Sequence, residues 1–143
     1  MIFVDTSFLF ALFDRDDAQH ARARAALQAL RGQRLGELLL TTNHVLAETV
    51  TLVNSRGHRD PRLRHGLAVR VGEQILAGTF GRLHQVTPAQ ERSAFDYFRR
   101  RADQSYSFVD CASFVVMVEL GIGEALTFDD DFAHRFVVRP GRE

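Results

Sequence analysis

The chain has 143 residues, 45% hydrophobic and 25% charged, with 18 basic side chains balanced by 18 acidic ones. That is the size and composition of one globular domain, expected over residues 1–143, and it excludes a disordered or fibrous chain. Zero net charge supplies no bulk field toward nucleic acid or a membrane, the single Cys111 rules out an internal disulfide framework, and no apolar run approaches the ~18 residues of a membrane span.

Ile2-Phe3-Val4 is a short β-favouring run, and Asp5-Thr6-Ser7 then offers N-cap residues to a helix carrying Phe8, Leu9, Leu12 and Phe13. Asp14 to Asp17 break the pattern. An alanine-rich helix is expected over 18–31, ended by Gly32, and a second strand over Leu38–Thr41. Thr42-Asn43 caps a helix in which Val45, Leu46, Thr49, Leu52 and Val53 share a face, stopping before Gly57. Asp60-Pro61 opens the next helix, to about Leu76, because proline is tolerated in a first turn. Leu83–Val86 reads as a third strand and Thr87-Pro88 as the start of a helix with Phe95 and Phe98 on one face, read as core or partner surface. Ser107 starts a helix that is apolar almost all round to Leu120, so it should be central. Ala125–Phe128 is a fourth strand, 130–135 one helical turn, and Phe136–Val138 a last edge strand.

Strands separated by helices imply right-handed crossovers and a parallel sheet covered on both faces. The expected fold is a three-layer α/β/α sandwich. Ligands of such sheets bind beyond the carboxyl ends of the strands.

Acids from sequence-distant places fall on that edge. Asp5 follows strand one, Glu48 lies in the second turn of the helix after strand two, Asp110 in the first turn of the buried helix, and Asp129, Asp130 and Asp131 after strand four. Two carboxylates ~4 Å apart repel by about 4 kcal/mol at an effective dielectric of 20. Such a cluster must raise its pKa values or bind a cation. All-oxygen ligands without cysteine favour Mg²⁺ or Mn²⁺, a setting for metal-assisted phosphodiester hydrolysis. Taken singly, each acid has a plainer explanation: Asp5 as an N-cap, Ser107 to Asp110 as a capping box that Thr127 and Asp130 nearly repeat, Glu48 as a helix acid in a partly buried turn beside Ala47 and Val50.

Other side chains carry less. All the basic residues are arginine, which removes lysine-dependent chemistry. Arg99-Arg100-Arg101 and the run from Arg56 to Arg70 read as solvated helix faces, His44 and His134 as polar surface residues near the rim, and Cys111 as a core thiol. The start of the chain lacks the charged segment and cleavage site of a signal peptide, so a cytoplasmic protein is expected.

Four segments together resemble the PIN-domain ribonucleases, most closely the VapC-type toxins: Val4-Asp5-Thr6-Ser7, Asn43-His44-Val45-Leu46-Ala47-Glu48, Ser107 to Ser113, and Leu126 to Phe132. The resemblance implies an endoribonuclease using Mg²⁺ or Mn²⁺ to activate the attacking water. It implies catalytic acids at Asp5, Glu48, Asp110 and Asp129, with Asp131 a further metal ligand and Thr6, Ser7 and Thr127 in support. It also implies an RNA substrate, a small antitoxin partner and a homodimer. Two readings from other classes compete. A phosphoacceptor domain also puts acids at strand ends but normally uses a lysine, and there is none; a non-catalytic RNA-binding or protein-interaction module would keep the fold without the chemistry.

Overall fold

A computed structural model describes residues 1–141; the last two positions of the expected domain lie outside the described residues. The elements run β1 (Ile2–Val4), α1 (Thr6–Phe13), α2 (His20–Ala29), α3 (Leu35–Leu38), β2 (Leu39–Thr42), α4 (Asn43–Arg56), α5 (Pro61–Leu76), β3 (Arg82–His84), α6 (Pro88–Arg100), α7 (Phe108–Glu119), β4 (Glu124–Leu126), a 3₁₀ helix (Asp130–His134) and β5 (Val137–Arg139). The five strands order as β3-β2-β1-β4-β5, all pairings parallel. The α/β/α expectation is met, with β1 at the centre.

The central position of β1 follows from its composition. Ile2, Phe3 and Val4 are all buried, and Phe3 and Val4 are fully so, as a strand covered on both faces requires. Register places Ile2 opposite Leu39 on one side and Glu124 on the other. The Thr41 hydroxyl donates to the Val4 carbonyl at 2.9 Å, and the Asp5 N–H extends the ladder to the Leu126 carbonyl at 3.1 Å. The carboxyl ends of β1, β2 and β4 therefore share one rim.

Aromatic packing fixes what stands on that rim. Phe132, fully buried inside the 3₁₀ helix, stacks on Phe3 at 6.3 Å and meets Phe114 of α7 edge-on at 4.9 Å. Burying such a ring stabilises by about 2–3 kcal/mol, enough to hold a five-residue helix that has little stability alone. Phe128 stacks on Phe8 of α1 at 5.9 Å and so pins the loop after β4. Phe95 and Phe98 are 54% and 43% exposed, so they are not core; Gln90 and Ala94 supply the buried face of α6.

Several element boundaries differ from expectation: β4 runs Glu124–Leu126 and stops short of the expected Phe128, and α2 runs His20–Ala29 inside the expected 18–31. Leu38 ends the single-turn α3 and does not enter β2. β3 ends at His84, since the Val86 N–H donates to the Asn43 side-chain oxygen at 2.8 Å and leaves the ladder. β5 runs one residue later than the apolar run suggested. No helix among the described residues is long and apolar enough to cross a membrane.

Gly81 is the tightest backbone point. Its φ is +99°, and a Cβ there would drive into the Leu39 carbonyl at the start of β2. Gly81→Ala is expected to cost on the order of 3 kcal/mol through combined strain and clash, read as a lowered midpoint in chemical denaturation. An unchanged midpoint would refute it.

Candidate active site

Each rim acid is placed by a helix start. Asp5 is the N-cap of α1 and accepts from the Ser7 N–H at 3.3 Å. Asp110 closes a capping box with Ser107: its Oδ2 accepts from the Ser107 N–H at 3.0 Å while its own N–H donates to Ser107 Oγ at 3.0 Å. Asp129 is the N-cap of the 3₁₀ helix and accepts from the Asp131 N–H at 2.9 Å. Capping, the plain reading of these acids, is thus real. It also aims the positive ends of their helices at one place.

What capping does not explain is their mutual approach. Asp110, Asp129 and Asp131 each offer a carboxylate oxygen, and those oxygens all lie within 4.8 Å of one another. Asp5 is outside that trio but close: its charge acts on Asp110, and that of Asp129 acts on Asp5. Glu48 is not among them. It is half-buried in a cleft of about 600 Å³ lined also by His44, Leu52 and Val109, so the cleft adjoins the residue before Asp110. The turn carrying Glu48 is partly buried, as expected: Glu48 and Val50 are half-buried, Thr49 is buried and Ala47 is exposed.

A hydroxyl network holds Asp5. Ser7 Oγ donates to Asp5 Oδ2 at 2.8 Å and Thr127 Oγ1 donates to the same oxygen at 2.9 Å. Each hydroxyl in turn accepts a backbone N–H, Ser7 from Phe128 and Thr127 from Asp129, both at 2.9 Å. Thr127 is therefore tied to Asp5 and Asp129, and it does not cap a helix with Asp130 as its spacing suggested. Thr6 is buried, and its hydroxyl has no hydrogen-bond partner among the described residues.

Burial makes these carboxylates poor anions. Asp5 is 3% exposed and its pKa rises from 3.8 to about 6, through loss of hydration that the Ser7 and Thr127 hydroxyls only partly offset. Asp110 is 8% exposed and reaches about 7, again mainly from lost hydration, with the charges of Asp5 and Asp129 adding to it. Asp129 is raised for the same first reason. Among the described residues no arginine forms an ion pair with any of these acids. Clustered oxygen donors, desolvated and with no arginine paired to them among the described residues, fit a hard divalent cation. Cys111 lies beside Asp110 but is fully buried, and its thiol is pushed up to about 11, chiefly by burial; it is a core thiol.

Of the two rim histidines, His44 is half-buried and lies 3.1 Å from Glu91, and the His134 ring nitrogen Nδ1 lies 3.1 Å from the Tyr106 hydroxyl. Tyr106 drew no notice in the sequence. The available signal was its place directly before the Ser107 cap, which forces it against α7.

A parallel sheet whose central strand ends in an acid, with partner acids on the α7 start and after β4, defines a class. The family model for the PIN domain matches residues 2–135, and the chain belongs to that family. Within it the chain stands with the VapC-type toxins. It is 43% identical to the 23S rRNA-specific endonuclease VapC20 from two strains of Mycobacterium tuberculosis, over 98% of this chain and 99% of the relative. The crystal structure of M. tuberculosis VapC20, described as a sarcin–ricin loop cleaving toxin, superposes with a TM-score of 0.80 at 37% identity, covering 94% of each chain.

Proposed function

We propose that this chain is a metal-dependent endoribonuclease, the toxin of a toxin–antitoxin pair, and that its target is the sarcin–ricin loop of 23S rRNA. The carrying observation is the approach of the Asp110, Asp129 and Asp131 oxygens to within 4.8 Å, in a chain whose close relatives cut RNA. Asp110, Asp129 and Asp131 would hold the ion, with Asp5 close by at the end of β1 and Glu48 in the adjoining cleft. The all-oxygen set selects Mg²⁺ or Mn²⁺ over Zn²⁺. Such an ion, when bound, neutralises phosphate charge and lowers the pKa of a coordinated water.

The rest is done by the chain itself. Ser7 and Thr127 fix the orientation of Asp5 through its Oδ2, and the capping N–H groups of Ser107 and Asp131 fix Asp110 and Asp129. Thr6, next to Asp5 in the chain, has a buried hydroxyl with no hydrogen-bond partner among the described residues. A small antitoxin and a second copy of the chain are the expected partners, and the bacterial cytoplasm, where ribosomes are, is the expected location.

The test is incubation of ribosomal RNA with the protein and Mg²⁺ or Mn²⁺, with and without EDTA. We expect one main cut, leaving a 5′-phosphate and a 3′-hydroxyl, and a loss of rate of about a hundredfold or more on chelation. Undiminished cutting in EDTA would exclude a metal-dependent reaction.

A further inference from the structure

Beyond the acids, the end of α6 and the end of the 3₁₀ helix carry an unusual cationic feature. The guanidinium carbons of Arg101 and Arg135 lie 5.1 and 5.3 Å from the centroid of the same ring, Tyr97. Arg101 follows α6, and Arg135 follows the 3₁₀ helix, so two sequence-distant arginines meet on one aromatic. Tyr97 is itself braced, stacked on Tyr106 at 6.1 Å and edge-on to Phe114 at 6.2 Å. Both arginines are exposed, and among the described residues neither side chain makes a hydrogen bond or an ion pair. The nearby Asp96 is already engaged by Arg99 at 2.7 Å.

The place of this pair matters as much as its charge. Tyr106 contacts His134 at 3.1 Å. In a 3₁₀ helix residues three apart eclipse, so His134 stands one turn, roughly 6 Å of rise, from Asp131 of the acidic trio. The arginine pair is thus joined to the candidate metal centre through Tyr97, Tyr106 and His134. Stacked guanidinium groups keep their in-plane N–H donors free and lose little freedom when they grip a phosphate.

Resting on the ribonuclease reading above, we infer that Arg101 and Arg135, braced on Tyr97 beside the helix that bears Asp131, bind a backbone phosphate of the RNA on the flank of the one cleaved. They are positioning residues: they hold the strand against an acidic rim that would by itself repel it. The acids alone cannot supply this attraction, and a chain of zero net charge has no bulk field to replace it.

The experiment titrates the full-length protein, in EDTA, with a labelled RNA hairpin of sarcin–ricin sequence at several salt concentrations. Arg101→Ala with Arg135→Ala is expected to weaken binding about 10- to 100-fold and to reduce the slope of log affinity against log salt by about 1 to 2. Lysine at both positions should restore the slope but only part of the affinity, because it lacks the planar fork. In Mg²⁺, KM should rise while kcat at saturating RNA stays within about twofold, a split that a merely structural role would not produce. The charge-matched control Arg59→Ala with Arg62→Ala, at the α4–α5 connection, should bind as the parent does. Parental affinity and slope in the Arg101/Arg135 variant would overturn the inference, as would an equal loss in the control. A parent protein that cuts RNA while the variant matches it refutes only the phosphate subsite; a parent that neither binds nor cuts RNA refutes the ribonuclease reading beneath it.

Discussion

Asp110→Asn should abolish RNA cleavage while making the metal-free protein more stable. The side-chain oxygen of asparagine can still accept the Ser107 N–H, so the capping box and the course of α7 survive. What disappears is a negative charge in a site 8% exposed, where Asp110 reaches a pKa of about 7. At about pH 8 the parent must carry an already ionised carboxylate out of water into this buried place on folding, and the variant need not. The variant should therefore melt several degrees higher without metal. Loss of one ligand removes several kcal/mol of charge stabilisation in the transition state, and at 1.36 kcal/mol per tenfold that is about a thousandfold in rate. Single-turnover cleavage and a thermal melt check both halves. Parental cleavage, or a lower melting temperature, would contradict the assignment of Asp110.

The second large effect is a pH dependence of opposite sign to that of an ordinary salt-bridged carboxylate. Asp5 and Asp110 bind protons more tightly folded than unfolded, with pKa values near 6 and 7 against 3.8. Their contribution to stability is complete below about pH 3.8 and is lost as pH rises through 6 and 7. For Asp5 alone the loss is on the order of 3 kcal/mol. The metal-free protein should accordingly weaken between about pH 4 and pH 7. A divalent ion at a hundred times its Kd would return about 2.7 kcal/mol at the alkaline end and little at the acid end, where its ligands are protonated. Melting with and without Mn²⁺ across that range, set against Asp110→Asn to isolate the site from other groups, gives the result. Identical pH profiles for parent and variant would show that the acids are not mutually strained.

Much of this architecture was legible because each strand carries its own signal. Ile2-Phe3-Val4 is apolar at every position, and Ser107, Thr87 and Asp60 announce the helices that they cap. The parts that escaped are those in which tertiary contact overrides local pattern. One turn of helix at Leu35–Leu38 is too short to show a period, so Leu38 merged with the strand after it. Val86 is buried as a strand residue would be, but its N–H bonds to Asn43, 43 positions away, and no local rule anticipates that. Phe95 and Phe98 have the spacing of a core face, although α6 packs through Gln90, Ala94 and Tyr97.

In the site, topology brought Asp5, Asp110 and Asp129 together as the strand order required. The details that spacing could not supply were the adoption of Asp131 into the closest trio, the displacement of Glu48 into a neighbouring cleft, and the use of Thr127 as a tie to Asp5. These depend on how the 3₁₀ helix is seated by Phe132, a property of the packed core.

The link between Asp5 and Thr127 spans 122 residues, and two of the three clustered oxygens belong to Asp129 and Asp131. During synthesis, then, Asp129 and Asp131 are added after Asp5, Glu48 and Asp110, and until then β1 still waits for β4 as its second neighbour. A nascent polypeptide halted earlier carries the amino-terminal acid but not the trio, so the order of translation by itself keeps an unfinished copy from assembling the acidic site.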